Sequence, residues 1–364
     1  MPSGAMAPTP DAPGPDAPVP NGAAPDAPGP TDGAPLDEGG EPALLVAIDR
    51  LLFPRSGATY TVEDLAAQAG VSVEVADRLW RAMGFTAGPK DRPFFHGDDL
   101  EALRSAVEAL RQGVPLDKIV YQTRVMAAAL ARVGEVTSDV IVESIEGMRA
   151  AGLTEAQIIE ALTSRQQPDF DQVVGYVYRR QLEAALWRKV ANPDRLASPE
   201  LTVGFVDLVR FTAVTEGIAD EELGALVDRF ESVVHDAVTD HGGRIVKMIG
   251  DEAMFVTDAP ADGLEIALSL VDSFARDESV PPARAGVAHG PVLAHGGDYF
   301  GPTVNLSARI VDVARSSTVV VSESLHDALA ARADLTWRRL PPKKLKGIGR
   351  VPLWAVTSPP DRRG

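Results

Sequence analysis

From about residue 42 to 196, apolar side chains recur at helical intervals. "ALLVAIDRLLF" places them at i, i+3, i+4 and i+7, the one-sided stripe of an amphipathic helix. "YTVEDLAAQAGVSVEVADRLWRAMGF" predicts two short helices about a turn at Gly70, a helix-turn-helix pattern. "GDDLEALRSAVEALRQG" predicts a helix with Asp98 or Asp99 as its N-cap and Gly113 just past its end. Helical spacing continues through "SDVIVESIEGMRAAG", "TEAQIIEALTSRQ" and the long "FDQVVGYVYRRQLEAALWRKV", whose basic end suits a helix C-terminus. "ANPDRLASPE", with two prolines, then breaks the pattern.

From residue 201 the pattern switches to strands alternating with helices. "LTVGFVDL" predicts a strand and "DEELGALVDRFESVVHDAVTDHGG" an amphipathic helix closed by glycines. "GRIVKMIGDEAMFV" predicts a hairpin of two apolar strands. Its Gly250-Asp251 pair suits a type I′ turn, which needs φ > 0 at both central positions. Lys247 interrupts the first of these strands. The helix "DGLEIALSLVDSFA", the strand "ARAGVAHGPVL", the helix "TVNLSARIVDVA" and the strand "STVVVS" follow. The order β-α-β-β-α-β is that of the split βαβ, ferredoxin-like arrangement. It predicts an α+β domain of two layers, with the helices on one face of the sheet.

Composition refines this division. Residues 1–41 are Ala, Pro, Gly and Asp with hardly a large apolar side chain; they hold seven acids and no Lys or Arg. Such a segment cannot bury enough surface to offset chain entropy and is expected to be disordered. It supplies seven of the seventeen excess negative charges, the net charge of the chain being −17. A global polyanion is a poor nucleic-acid ligand, so no nucleic-acid partner is expected. There is no cysteine, which excludes disulfides and zinc–thiolate sites and fits a reducing cytoplasm. No apolar run is long enough for a transmembrane helix, and the N-terminus lacks the pattern of a secretory signal. The expected domains are thus a tail (1–41), an all-helical region (42–196), an α+β region (197–358) and a short C-terminal tail (359–364).

Candidate chemistry lies in the α+β region. Asp207 ends the first strand in "FVDLVRFT", and Asp251 sits in the hairpin turn. In the split βαβ arrangement the first strand and the central hairpin are neighbours, so the two carboxylates converge at one end of the sheet. Converging carboxylates suit Mg²⁺ when substrate phosphates fill its remaining positions. Past Asp207, the backbone N–H groups at Phe211 and Thr212 open a helix and face where phosphate oxygens would lie.

The pieces "FVDLVRFT", "GGRIVKMIGDE", "GVAHGPV", "DYFGPTVNLSARI" and "LKGIG" together resemble a class III adenylyl cyclase catalytic domain, in that family's order and spacing, over residues 200–357. The resemblance implies conversion of ATP to 3′,5′-cyclic AMP and pyrophosphate. It implies that Asp207 and Asp251 bind two divalent ions, Mg²⁺ or Mn²⁺. Lys247 and Asp298 would read adenine, Asn305 would position the ribose, Arg309 would stabilise charge on the α-phosphate, and Lys346 would meet the terminal phosphates. It further implies active sites formed between two catalytic domains arranged head to tail. All six core roles are filled in this one chain, so a homodimer suffices, and Lys247 serves the site opposite to the one served by Asp251. One departure is Arg210, which stands where the family usually has a small residue, often Gly; its side chain is expected to point to solvent.

The N-terminal pattern also resembles the DNA-binding head of the MerR regulators over about 65 residues. Acids outnumber bases from 61 to 125, so shared helical packing rather than DNA binding is expected, as in the helical regulatory domains fused to short-arm actinobacterial cyclases. A small molecule, a lipid or protons are the inputs such a domain would receive. The chain has no histidine between His96 and His235, so no histidine switch is available in the connector helix. Two other readings stand beside the adenylyl cyclase: a MerR-like regulator with a nucleotide-sensing domain, and a guanylyl cyclase, which the Lys247–Asp298 pair disfavours.

Overall fold

The computed structural model describes residues 60–86, 93–164, 170–191 and 199–357, together with Leu44, Ala47, Ile48 and Leu52. The segment expected to be disordered, most of the first apolar stripe and the proline break after the connector helix lie outside these residues, as does the C-terminal tail. The chain divides into two compact units, one through Phe170 and one from Asp171 onward.

The first unit is helical. Helix α1 (Val62–Ala69) starts in a capping box in which Thr61 and Asp64 satisfy each other's backbone N–H groups, and ends at Gly70 with φ 75°. Helix α2 (Val73–Ala82) is capped by Ser72, completing the expected helix-turn-helix. Helix α3 (Gly97–Arg111) begins earlier than its sequence suggests. His96 is the N-cap, and Asp99, rather than acting as a cap itself, accepts the His96 N–H at 2.7 Å. Helix α4 (Leu116–Ala150) runs unbroken for 35 residues, and α5 (Glu155–Ser164) follows. Leu65, Leu79, Trp80, Phe95, Leu103 and Ile119 form the main core of this unit. Ile145 near the far end of α4 packs instead with Ile158 and Leu162 of α5.

The second unit takes in α6 (Phe170–Ala191) from Asp171 onward, and Tyr176, Trp187 and Val190 of this helix are exposed. Strand β1 (Glu200–Leu208), the short α7 (Phe211–Thr215) and α8 (Asp220–Asp240) come next. The hairpin β2 (Arg244–Ile249) and β3 (Glu252–Thr257), helix α9 (Pro260–Arg276) and β4 (Ala283–Pro291) complete the expected βαββαβ. Beyond it lie a small hairpin, β5 (Leu293–His295) and β6 (Asp298–Phe300), then α10 (Pro302–Val313), β7 (Val319–Ser322) and α11 (Glu323–Leu329). The unit ends with β8 (Thr336–Arg339), a second hairpin of β9 (Lys343–Leu345) and β10 (Gly349–Val351), and β11 (Leu353–Thr357). The main sheet has the order β2-β3-β1-β4-β7-β11-β8. Its first four strands are antiparallel in the ferredoxin-like order, and β7 joins β4 in parallel.

The helices do not all lie on one face. Val206, Leu208, Ala253, Phe255 and Ala285 join α8, α9 and α11 in one core. Residues of alternate parity, among them Val203, Phe205 and Met254, pack with Val311 of α10 on the other face. The closeness of α10 depends on Gly286 of β4: a Cβ there would meet the backbone nitrogen of Val311 at 2.3 Å. The buried Ser307 hydroxyl pins the same helix by donating to the carbonyls of Val203 at 2.7 Å and Gly286 at 2.9 Å.

Candidate active site

Asp207 is the last-but-one residue of β1 and is cross-strand partner to Glu252 on β3 and to Arg284 on β4. Its neighbours Val206 and Leu208 face the α8/α9 core, so strand alternation puts Asp207 on the α10 face. Arg284 donates from Nε at 2.6 Å and from Nη2 at 2.5 Å to the same Asp207 oxygen, Oδ2. The pair is largely buried, with side-chain exposures of 27% and 14%. Asp251 lies beside it in the β2–β3 turn, where its carbonyl accepts the Leu208 N–H at 3.1 Å. In that turn only Gly250 has positive φ, at 60°. This is the arrangement of a type II′ turn with Gly first, rather than the type I′ expected from the Gly-Asp pair.

Burial raises the Asp251 carboxyl above the ordinary aspartate range, and the Asp207 charge adds to the effect. Glu252 is pushed up to about 7, by burial first and then by the charges of Asp207, Asp312 and Asp251. Crowded carboxylates that resist ionisation together are a donor set that fits a hard divalent cation. Arg284 is the one cation in direct contact with Asp207 among the described residues. The sequence reading did not single out Arg284 or Glu252. Their signal was a charged residue at the start of an otherwise apolar strand.

A second group lies on the same face of the sheet. Regular pairing from the hairpin tip sets Lys247 opposite Met254, and a β-bulge shifts the register only beyond it, between Lys247 and Ile245. Met254 belongs to the α10-side core, and Lys247, its cross-strand partner, faces the same side. Its Nζ donates to Asp298 Oδ2 at 2.7 Å, while Asp298 Oδ1 accepts the Tyr299 N–H at 2.7 Å. Asn305 and Arg309, one turn apart on α10, are both exposed. Arg309 donates to Asp312 Oδ2 at 3.0 Å. Lys346 is exposed in the turn between β9 and β10. Phe211 packs its ring against the main core, which leaves its backbone for any ligand; Thr212 is exposed. Arg210 is exposed, as expected, and has φ 65°. Among the described residues, no hydrogen bond or ion pair joins Asp207 or Asp251 to Lys247, Asp298, Asn305 or Arg309. The site residues thus form two sets, a carboxylate end and a Lys247–Asp298/α10 surface.

A profile of the adenylate and guanylate cyclase catalytic domain matches residues 196–358, and one of the adenylate cyclase regulatory domain matches residues 34–186. The chain is 34% identical over 298 residues to an adenylate cyclase of Streptomyces coelicolor, a match covering 81% of this chain and 78% of that protein. The chain belongs to the class III adenylate cyclases. A pH-sensitive adenylate cyclase of Mycobacterium tuberculosis is 32% identical over 335 residues, covering 89% of this cyclase and 84% of that one. The solved adenylyl cyclase CyaB from P. aeruginosa is 18% identical, with a TM-score of 0.41 over 46% of this chain and 98% of that one. As an adenylate cyclase, the protein turns ATP into cyclic AMP and uses divalent cations. The regulatory-domain match replaces the DNA-binding reading of the N-terminal helices, and the relatives named here are adenylate rather than guanylate cyclases. No helix of the described residues is long and apolar enough to cross a membrane.

Proposed function

We propose that this adenylate cyclase works as a head-to-tail homodimer in the cytoplasm, with each site drawing one set of residues from each copy. The observation that carries the reading is that, among the described residues, no hydrogen bond or ion pair joins the two sets directly within one chain, although both are complete in sequence. Asp207 and Asp251 hold two divalent cations, and Leu208 N–H fixes the backbone of the Asp251 turn. When bound, the cations stabilise phosphate charge and lower the pKa of the ribose 3′-hydroxyl. From the other copy, Lys247 meets adenine N1 and Asp298 the 6-amino group. The 2.7 Å bond between them holds the lysine extended across the sheet face. Asn305 orients the ribose so that the 3′-oxygen lies in line with the α-phosphorus. Arg309 aims its donors at the charge that develops there. Lys346 and the backbone at Phe211 and Thr212 receive the remaining phosphate oxygens.

A mixture of two defective chains tests the shared site. Asp207→Ala and Arg309→Ala should each be nearly inactive alone. Re-equilibrated together, they should regain up to about a quarter of wild-type activity, because half the dimers are mixed and each mixed dimer has one whole site. Recovery of nothing, with dimer exchange verified, rejects the geometry.

The helical domain, on this reading, modulates the dimer. The M. tuberculosis relative is named for pH sensitivity, and a proton input here falls on carboxylates or on histidines outside residues 97–234, which contain none. A small molecule or lipid is the other class of input.

A further inference from the structure

Arg284 does more than neutralise a carboxylate. One edge of its guanidinium, Nε and Nη2, ends on Asp207 Oδ2. Its remaining nitrogen, Nη1, donates to the carbonyl of Asp312 at 3.2 Å and to that of Ala314 at 3.5 Å. Helix α10 ends at Val313 with Ala314 as its C-cap, so these are carbonyls that the helix itself leaves unpaired. A guanidinium there satisfies them and sits at the negative end of the helix dipole. The same planar group therefore spans the carboxylate end of the site and the end of the helix that carries Asn305 and Arg309.

We propose that Arg284 is a positioning residue that acts as the resident counter-cation of Asp207. It competes with the divalent cation for Oδ2 and clamps the C-terminal turn of α10. This rests on the reading of Asp207 as a metal ligand. Both Arg284 donors converge on one oxygen, so a cation that takes that oxygen must turn the guanidinium aside. The surrounding charges, Asp251, Glu252 and Asp312, are all carboxylates, so the displaced arginine stays in an anionic neighbourhood. Metal affinity is then set lower than the carboxylates alone would give, and metal occupancy at one end of the sheet is felt at the end of α10.

The test measures Mn²⁺ binding to the full-length protein without nucleotide, by the loss of the free-ion paramagnetic resonance signal. Arg284→Gln should bind Mn²⁺ about tenfold more tightly than wild type, the scale of one close opposite charge on a carboxylate. Arg284→Lys keeps the charge but not the two-pronged bond, and should fall between them. Arg229→Gln, which removes an arginine paired with Asp277 elsewhere in the unit, should leave the affinity unchanged. A merely structural role for Arg284 would weaken metal binding, not tighten it. Glutamine binding no tighter than wild type, or lysine binding as weakly as wild type, overturns the competition. Asp207→Asn separates the two readings: if it binds Mn²⁺ like wild type, the metal-site assignment itself has failed. Hydrogen exchange reads the clamp, with the Ala314 amide of metal-free Arg284→Gln expected to exchange faster than in wild type. Equal rates reject the link to α10.

Discussion

At the scale of single residues, the carboxylate row across β3 and β1 makes the clearest pH prediction. Glu252 is raised from 4.5 to about 7, so between these values the folded state binds a proton that the unfolded chain has lost. Stability conferred by the protonated form is present below about 4.5 and declines as pH rises towards 7. The carboxyl is partly solvated, so the penalty is on the order of 1–2 kcal/mol once screening is allowed for. Glu252→Gln should remove it. In the presence of a chelator, the catalytic unit of the variant should melt several degrees above wild type at pH 8 and at the same temperature at pH 4.5. Saturating Mn²⁺ should shrink the gap, because bound cation turns the Glu252 charge from a cost into a neighbour it attracts. A variant that melts no higher at pH 8 would show that Glu252 is not held in its neutral form. Asp207 and Asp251 were legible in the sequence because a charged residue at a strand end and another in a tight turn recur at a recognisable spacing. Arg284 was not, because its partner is 77 positions away and only strand pairing brings them together.

At the scale of elements, α10 is the part whose placement most affects the site. It closes on the sheet over Gly286, where an added Cβ would meet backbone atoms of Val311 and Ser307 rather than a flexible side chain. Gly286→Ala should therefore cost about 1–3 kcal/mol by overpacking and push α10 outward. Since α10 carries Asn305 and Arg309, a displacement of about 1 Å is expected to lower turnover by roughly 100-fold. Circular dichroism and cyclic AMP formation on the same sample separate the two effects. A variant with wild-type turnover would show that the helix tolerates the shift. The β2 bulge is a second element-scale feature. Strict alternation from the hairpin tip places Lys247 correctly, whereas the bulge between Ile245 and Lys247 resets the parity of Ile245 and Arg244 beyond it. Helix α4 stays helical through Gly134 and Gly147 over 35 residues, because each interior glycine costs only about 1 kcal/mol and both ends of the helix are packed.

At the scale of the whole molecule, all six core site residues lie after position 200, so the chemistry is expected to survive removal of residues 1–196. What should change is dimerisation. Helix α6 leaves Trp187 68% and Val190 71% exposed, and large apolar side chains at that exposure are expected to be covered by a partner. If the helical region holds the catalytic halves apart, the 197–364 chain should be faster at high protein concentration. If it supplies the dimer contact, activity should fall and depend steeply on concentration. Removing only residues 1–41 should do little, since that segment has almost no side chains to pack. Specific activity against protein concentration for the three chains distinguishes these cases, and superimposable curves for full-length and 197–364 chains would remove the regulatory role.

What the sequence determined by itself was everything carried by local periodicity or short spacing. The helix-turn-helix, the switch from helices to βαββαβ, and the expected convergence of Asp207 and Asp251 are of this kind. Each depends on side-chain pattern within one or two elements, where a period of 2 or 3.6 leaves a readable trace, whereas Lys247, Asp298, Asn305 and Arg309 stand out only through the resemblance of their motifs to the cyclase family. The tertiary structure alone decided which face α10 covers, because that rests on a missing Cβ at Gly286 meeting a helix formed some 20 residues later. It alone decided that β7, β11 and β8 extend the sheet to seven strands, and that Glu252, Asp207 and Arg284 form one row across three strands. Contacts between residues far apart in the chain cost closure entropy and are stabilised by the assembled core as a whole, so no single stretch of sequence records them.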